Sequence, residues 1–565
     1  MKSPILLWCF KTPKAVFLLS LALQAFFVFL IVRFVGDRSW DDGAITLAFS
    51  KSFAETGRVA LTPPSEQVEG FSSVSWFLLN ALLARLHPSF EQAILLAQIA
   101  AGACVSVSLY FLFLFSKNLH LAPAATALTL LVFALSGATI AETANGMEMT
   151  LLAASGLAMA HYLYFGESRV FALGAALVFI STRFEAIFYY TFIIAPLFFR
   201  QRGREGVFWL LFGAGIFIVI GVLRYFEFSE LLPNTIYAKL NPPYQVVGLT
   251  EKLIGKIDAS FELFDVTKPF VVATIMVLLA TLVKILSKKE IPDFRLAHMD
   301  ILIFPIVGVE LFSVIAGRNW GYSGRMQFFA IPFALLLLSY LFSNFSGFLD
   351  RRLQMVCLFL ALLTIPYSWK HSAESQVRQI TSGLTGVSSS GVKDFDVTPD
   401  YYRKTGIAVD RLRQLLGGSN LVFLTPDVGG LGLCCSHIRV VDVAMLTNHA
   451  LARGGYASFP AVFAQENPDV IEVHEKWASL PKIYENAEFK NNYRAILINN
   501  TRLFLRKDHF EKLVEAGVGR LCPLSDSGCV DKIIKTHRYK DHRTDEDDAQ
   551  YLRLNGFVEI DREIP

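Results

Sequence analysis

Residues 1–32 read MKSPILLWCFKTPKAVFLLSLALQAFFVFLIV, with Lys2, Lys11 and Lys14 ahead of an apolar run too long for a signal peptide and lacking a small-residue cleavage site. That stretch predicts a retained start-transfer helix, since roughly 20 apolar residues are needed to cross about 30 Å of hydrocarbon. Ten further apolar runs follow near 92–115, 122–141, 147–164, 169–182, 186–199, 206–223, 268–287, 299–316, 326–345 and 353–369. The expected fold is therefore a polytopic α-helical membrane protein of about eleven transmembrane helices over residues 1–370. The composition agrees: of 565 residues 53% are hydrophobic and only 18% charged, which excludes an ordinary cytosolic globule. A balance of 52 Lys+Arg against 49 Asp+Glu, net +3, excludes an electrostatic grip on nucleic acid.

One segment, SSVSWFLLNALLARL at 72–86, decides the orientation. Without it as a span, Lys117, Arg169, Arg200, Arg202, Arg204, Lys284, Lys288, Lys289, Arg295, Arg351 and Arg352 all fall in cytoplasmic loops, as the positive-inside rule requires. With it, those clusters face outward. Residues 72–86 are thus expected to lie in the outer interface as part of a first outer loop spanning 37–90. An odd number of spans places everything after Lys370 outside. There the sequence turns polar, and LVFLT at 421–425, IRVVDV at 438–443 and AILIN at 495–499 read as strands between helix-like 401–416 and 461–480. Residues 371–565 are expected to form a soluble α/β domain, with a solvated tail HRTDEDDAQ.

The polar residues that orientation does not explain gather in the outer loops. Asp41 and Asp42 are adjacent carboxylates after the first span. They are either solvated acids marking the boundary or a general base that takes the proton of an attacking hydroxyl. Arg183 lies two residues from Glu185 near a span end, so the two either satisfy each other or hold a ligand. Arg325 and Lys239 are either interface anchors or, converging with Arg183, a phosphate site with forked and point-charge donors. Glu148 sits in the first turn of a span, and Pro233-Asn234-Thr235 carries a turn and cap signal. The Asp41/Asp42 pair can offer oxygen ligands to Mg²⁺ or Mn²⁺, but two adjacent acids are too few to define a divalent metal site and no Cys/His cluster has zinc spacing, so no cofactor is favoured. Cys522 and Cys529 are candidates for a disulfide, whereas the adjacent Cys434 and Cys435 are expected not to pair with each other. Tyr456, Trp477 and Tyr484 either stack on sugar rings or, as is commoner in a small α/β domain, belong to its core.

In chain order, Asp41-Asp42-Gly43-Ala44-Ile45-Thr46 with Val68-Glu69-Gly70-Phe71-Ser72-Ser73, Asn145-Gly146-Met147-Glu148, Thr182-Arg183-Phe184-Glu185, and Leu232-Pro233-Asn234-Thr235 with Tyr237-Ala238-Lys239 resemble the loop motifs of one family. These are the bacterial membrane glycosyltransferases of the GT-C fold, in particular the group that includes the terminal β-arabinofuranosyltransferase of the mycobacterial cell wall. Pro426-Asp427-Val428-Gly429 and Val441-Asp442 resemble that group's external-domain segment. Two departures stand out: the family's Gly-Gly-Asp is Ala316-Gly317-Arg318 here, and Phe184 replaces a proline.

The resemblance implies an inverting transferase on the outer face of a bacterial inner membrane. It would move arabinofuranose or another pentose or hexose from a polyprenyl-phosphate donor to a cell-envelope glycan or glycolipid. It also implies the roles: Asp42, oriented by Asp41, as base; Arg183, Lys239 and Arg325 on the donor phosphate; Glu69, Glu148, Glu185, Asn234 and Tyr237 around the sugar. No Gly-rich nucleotide cradle is present, as an external lipid-linked donor requires. A lipid-linked sugar transporter would show two related halves with broken helices, and none is legible. A non-catalytic envelope-assembly protein would leave the outer-loop charges idle.

Overall fold

The computed structural model describes residues 12–166, 168–240, 249–288, 298–316, 324–346, 349–386, 398–418, 420–473, 476–498, 501–518, 520–522 and 557–560. Arg318, Cys529 and the HRTDEDDAQ tail lie outside them, and for Cys522 only its place in a strand is described.

Each of the eleven apolar runs is helical. In chain order the membrane part comprises α1 (Pro13–Phe34), α2 (Asp42–Thr56), α3 (Val74–Ala84), α4 (Phe90–Asn118), α5 (Pro123–Leu135), α6 (Gly137–Asn145), α7 (Met149–Tyr164), α8 (Arg169–Thr182) and α9 (Ala186–Phe199). It continues through α10 (Gly203–Phe228), α11 (Asn234–Leu240), α12 (Leu249–Lys288), α13 (Met299–Ala316), α14 (Ala330–Phe345), α15 (Arg351–Leu362) and α16 (Thr364–Ser372). Seven helical stretches among the described residues are long and apolar enough to cross a membrane: α1, α4, α5–α6, α10, most of α12, α13 and α15–α16. The surface they present is what a bilayer requires, because no water-soluble chain leaves Leu211, Ile218, Leu223 and Phe226 of α10 side by side and 62–80% exposed. Phe133, Phe179, Phe270, Phe328 and Trp209 fill the interior between the helices.

Two interruptions position the site. α5 and α6 meet at Ser136, whose hydroxyl accepts the Thr139 N–H and caps the second segment. α8 and α9 are parted by Arg183, Phe184 and Glu185, with Arg183 in extended conformation. Segment 72–86 forms the 11-residue α3, capped by Ser73 and too short to span; Trp76 and Phe77 are buried while Leu78 and Leu82 are exposed. Its length and one-sided burial are those of a helix that does not span.

After α16, helix α17 (Glu374–Thr385) lies along α1, with Gly383 against the Phe34 ring. The remaining part opens with α18 (Pro399–Leu415), capped by Thr398. There follow β1 (Val422–Thr425), α19 (Gly429–Cys434), β2 (Arg439–Asp442), α20 (His449–Gly454), α21 (Phe459–Glu466), β3 (Val470–Ile471), β4 (Tyr493–Ile498), β5 (Thr501–Arg506), β6 (Arg520–Cys522) and β7 (Phe557–Ile560). They build one mixed sheet in the order β2-β1-β3-β5-β4-β7-β6. β1 runs parallel to β2 and β3, β5 is antiparallel to β3 and β4, β4 is parallel to β7, and β7 is antiparallel to β6.

Two expectations are corrected here. The helix-like stretch 461–480 is not continuous: Asn467 takes a left-handed conformation ahead of Pro468, ending α21, and the buried Val470 and Ile471 then enter the sheet between β1 and β5. Cys434 and Cys435 are disulfide-bonded to each other. Helix α19 ends at this point, and the departure of Cys435 from helical backbone brings the neighbouring sulfurs together. Tyr456, Trp477 and Tyr484 pack on the core around Phe459, Phe489 and Phe504.

Candidate functional site

The first-loop acids have opposite fates. Asp41 is buried, 4% exposed, and its two carboxylate oxygens accept the backbone N–H groups of Gly429 (2.9 Å) and Gly430 (2.7 Å) at the start of α19. Only glycine fits there, since a Cβ on Gly430 would lie 2.1 Å from the Pro399 carbonyl oxygen. Burial pushes the Asp41 carboxyl up to about 8, with Asp427 and Asp42 adding to the effect and the two N–H bonds opposing it. It is a clamp between the first loop and the start of α19, with both carboxylate oxygens engaged by backbone N–H groups.

Asp42 opens α2 one residue later, and the helical turn aims it elsewhere. Its side chain is 41% exposed and Oδ2 accepts from Arg325 Nη1 at 2.8 Å. The Arg325 guanidinium also touches Met147 Sδ, at 3.6 Å. Met147 in turn lies beneath Gly43, whose α-carbon rests on the Asn145 carbonyl. The neighbouring Glu148, at the start of α7, pairs with Arg183 Nη1, and Glu185 pairs with Arg183 Nε; all three are buried.

Lys239, at the end of α11, completes the cluster. Its side chain is reachable by water although protein surrounds it on most sides. Burial and then the Arg183 guanidinium bring its pKa below the ordinary lysine value; Arg325 acts in the same direction, and Glu185 and Asp42 oppose it. Water at the ammonium moderates the first of these causes. Asp42, Arg183, Glu185, Lys239 and Arg325, spread over 283 residues of chain between Asp42 and Arg325, thus act on one another in a single electrostatic neighbourhood.

The remaining expected residues are structural in their contacts. Glu69 is buried and holds Arg224 of α10 through two bonds, at 2.6 and 3.0 Å. Asn234 sends its amide N–H groups to the Met445 and Leu446 carbonyls (3.0 and 2.8 Å) and accepts from Arg453 at 3.0 Å. Tyr237 donates to Glu230 at 3.0 Å and stacks under the Arg453 guanidinium, 4.2 Å from its ring centre. Asp442 is buried with the Ala444 and Thr447 N–H groups on its oxygens, and burial pushes it up to about 7.

No family model and no curated protein sequence matches this chain. The arrangement itself therefore carries the functional argument.

Sequence reading missed three participants: Arg224, Arg453 and the Gly429-Gly430 N–H pair. Arg224 looks like an ordinary charge at the end of a span. Only the proximity of two buried carboxylates, each needing donors, exposes these roles. Among the described residues no group of three or more His, Cys, Asp or Glu side chains is arranged to hold a metal ion.

Proposed function

We propose that the protein is a membrane glycosyltransferase that takes its sugar from a polyprenyl-phosphate donor on the outer face of a bacterial inner membrane. The observation carrying this reading is an accessible carboxylate, Asp42, bonded to the largely buried Arg325 and sharing its surroundings with Lys239, whose side chain water reaches. A lipid-linked phosphosugar needs those elements together: a base for the acceptor hydroxyl and cations for the departing phosphate. Arg200 and Arg202, at the opposite end of α9 from Glu185, support an outward-facing site under the positive-inside rule.

In this mechanism the acceptor O–H gives its proton to Asp42 as its oxygen bonds to the anomeric carbon. The anomeric C–O bond to phosphate breaks on the opposite face, and polyprenyl phosphate leaves with the electron pair, its charge met by Lys239 and Arg325. Arg183, two of whose donors are committed to Glu148 and Glu185, is a positioning residue that fixes the negative wall facing Lys239. Glu69, Asn234 and Tyr237 hold the frame. Asp41 orients Asp42 through the chain and takes no proton from substrate.

The test is turnover of the full chain in lipid nanodiscs with polyprenyl-phosphate sugars. Asp42→Asn keeps an acceptor for Arg325 but no base, and transfer is expected to fall by about 10²–10⁴-fold with donor binding retained. Undiminished transfer in that variant would exclude the mechanism.

A further inference from the structure

Helix α11 lies between α10 and α12 in the chain, yet much of its packing is with the far end of the sequence. It has seven residues, and a helix shorter than about 12 residues is marginal on its own in water, so its contacts decide where it stands. Its first turn is bonded to the first loop: the Asn234 N–H donates to the Glu69 carbonyl at 3.1 Å, and the Thr235 and Ser72 hydroxyls meet at 3.4 Å. Its other anchors belong to the C-terminal part. Ala238, 5% exposed, joins the apolar core formed with Leu424, Val441, Met445 and Leu451, and the Asn234 amide reaches the Met445 and Leu446 carbonyls. The residue after Ala238 is Lys239.

One side chain ties these contacts together. Arg453, in the last turn of α20, donates from Nη1 to Asn234 Oδ1 at 3.0 Å and pairs through Nη2 with Glu230 Oε1 at 2.6 Å. Its guanidinium also lies over Tyr237, 4.2 Å from the ring centre, and Tyr237 closes the loop by donating to Glu230 Oε2 at 3.0 Å. Asn234 and Tyr237 are three residues apart and share one face of α11, so a single planar fork grips that face while Glu230 fixes the chain just ahead of it. Arg453 thus holds one side of a short helix whose end presents Lys239 to Arg183, Glu185, Arg325 and Asp42.

We propose that Arg453 is a positioning residue for the lipid-phosphate donor: it fixes α11 against the C-terminal part and so sets where the Lys239 ammonium stands relative to Asp42 and Arg325. This role rests on Lys239 meeting the donor phosphate, as proposed above. With the grip released, the ammonium is offered over a range of places, and binding has to order the helix as well as make the contact.

The experiment measures the affinity of the full chain in nanodiscs for polyprenyl phosphate relative to polyprenol of the same length. Lys239→Met is expected to weaken that relative affinity about tenfold. Arg453→Met, with Lys239 intact, is expected to weaken it about fivefold. In the Lys239→Met background the same substitution is expected to change it by less than about twofold, because a residue that acts through Lys239 then has nothing to act on. Tyr237→Leu takes the ring from under the guanidinium and is expected to follow the same pattern, which keeps the test decisive if Arg453→Met does not fold. Unchanged affinity in Arg453→Met and Tyr237→Leu, or losses that multiply in the double variants, would overturn the assignment while leaving Lys239 on the phosphate. Undiminished affinity in Lys239→Met would instead remove the phosphate role of Lys239, and the positioning role with it.

Discussion

Two regions of the molecule use the same residue types to opposite ends. Along the seam between the membrane part and the C-terminal part, three buried acids are occupied: Asp41 by two glycine N–H groups, Glu69 by both arms of Arg224, Asp442 by two further N–H groups. In the cluster beside it, Asp42 keeps 41% of its side-chain surface and Lys239 stays in reach of water. Saturated acids hold a structure; acids with capacity left can act on a substrate. Adjacent positions in the sequence, 41 and 42, fall on either side of that line.

The comparison breaks most visibly at Arg224. Arg224→Met leaves the Glu69 carboxylate buried without its partner, which should cost about 3–5 kcal/mol of stability. The melting temperature of the detergent-solubilised chain should fall sharply, and activity only with it. Lost transfer at an unchanged melting temperature would move Glu69 from the seam to the reacting groups.

The pH dependence of the seam comes next. Folded Asp41 titrates at about 8 and folded Asp442 at about 7, both above the ordinary aspartate value of 3.8. Between pH 4 and 8 the folded chain therefore retains protons that the unfolded chain has released, so stability is greatest at low pH and declines as pH rises through that window. Melting followed from pH 5 to 9 should show the decline, and Asp41→Asn should flatten it. A rise in stability over the same interval would mean that the N–H bonds dominate and that the clamp works as an anion.

The smallest effect belongs to the open side. Lys239→Met should leave the melting temperature unchanged and raise KM for a lipid-phosphate donor by about tenfold, the value of one charge-assisted contact of about 1.4 kcal/mol. A lower melting temperature with unchanged KM would put Lys239 with the seam.

Much of the fold was legible in the sequence because bilayer solvation imposes a long apolar period, and each of the eleven runs became a helix. The strands at β1, β2 and β4 were legible as β-branched runs. β5 was not: Arg502 and Arg506 bracket its run of only three apolar residues, Leu503, Phe504 and Leu505, all of which are buried. β3 was hidden because two residues are too few to carry a period, and only pairing with β1 and β5 defines it. For the site, the motifs named the charged residues but not their allegiances. Asp41 looked like a partner of Asp42 until the Gly429-Gly430 N–H groups, 388 and 389 residues away, were seen to occupy it.

That separation also sets a timetable. The first loop is tied to the far end of the chain again at Lys51 to the Leu433 carbonyl and at Thr62 to the Ile438 carbonyl, across 382 and 376 residues. At about 5–20 residues per second of synthesis, the loop bearing Asp42 waits roughly 20–80 s for the strand that fixes it. During that interval Asp41 lacks the Gly429 and Gly430 N–H groups that hold it. An incomplete nascent chain therefore carries every charged residue of the cluster before the residues that fix the first loop have been made.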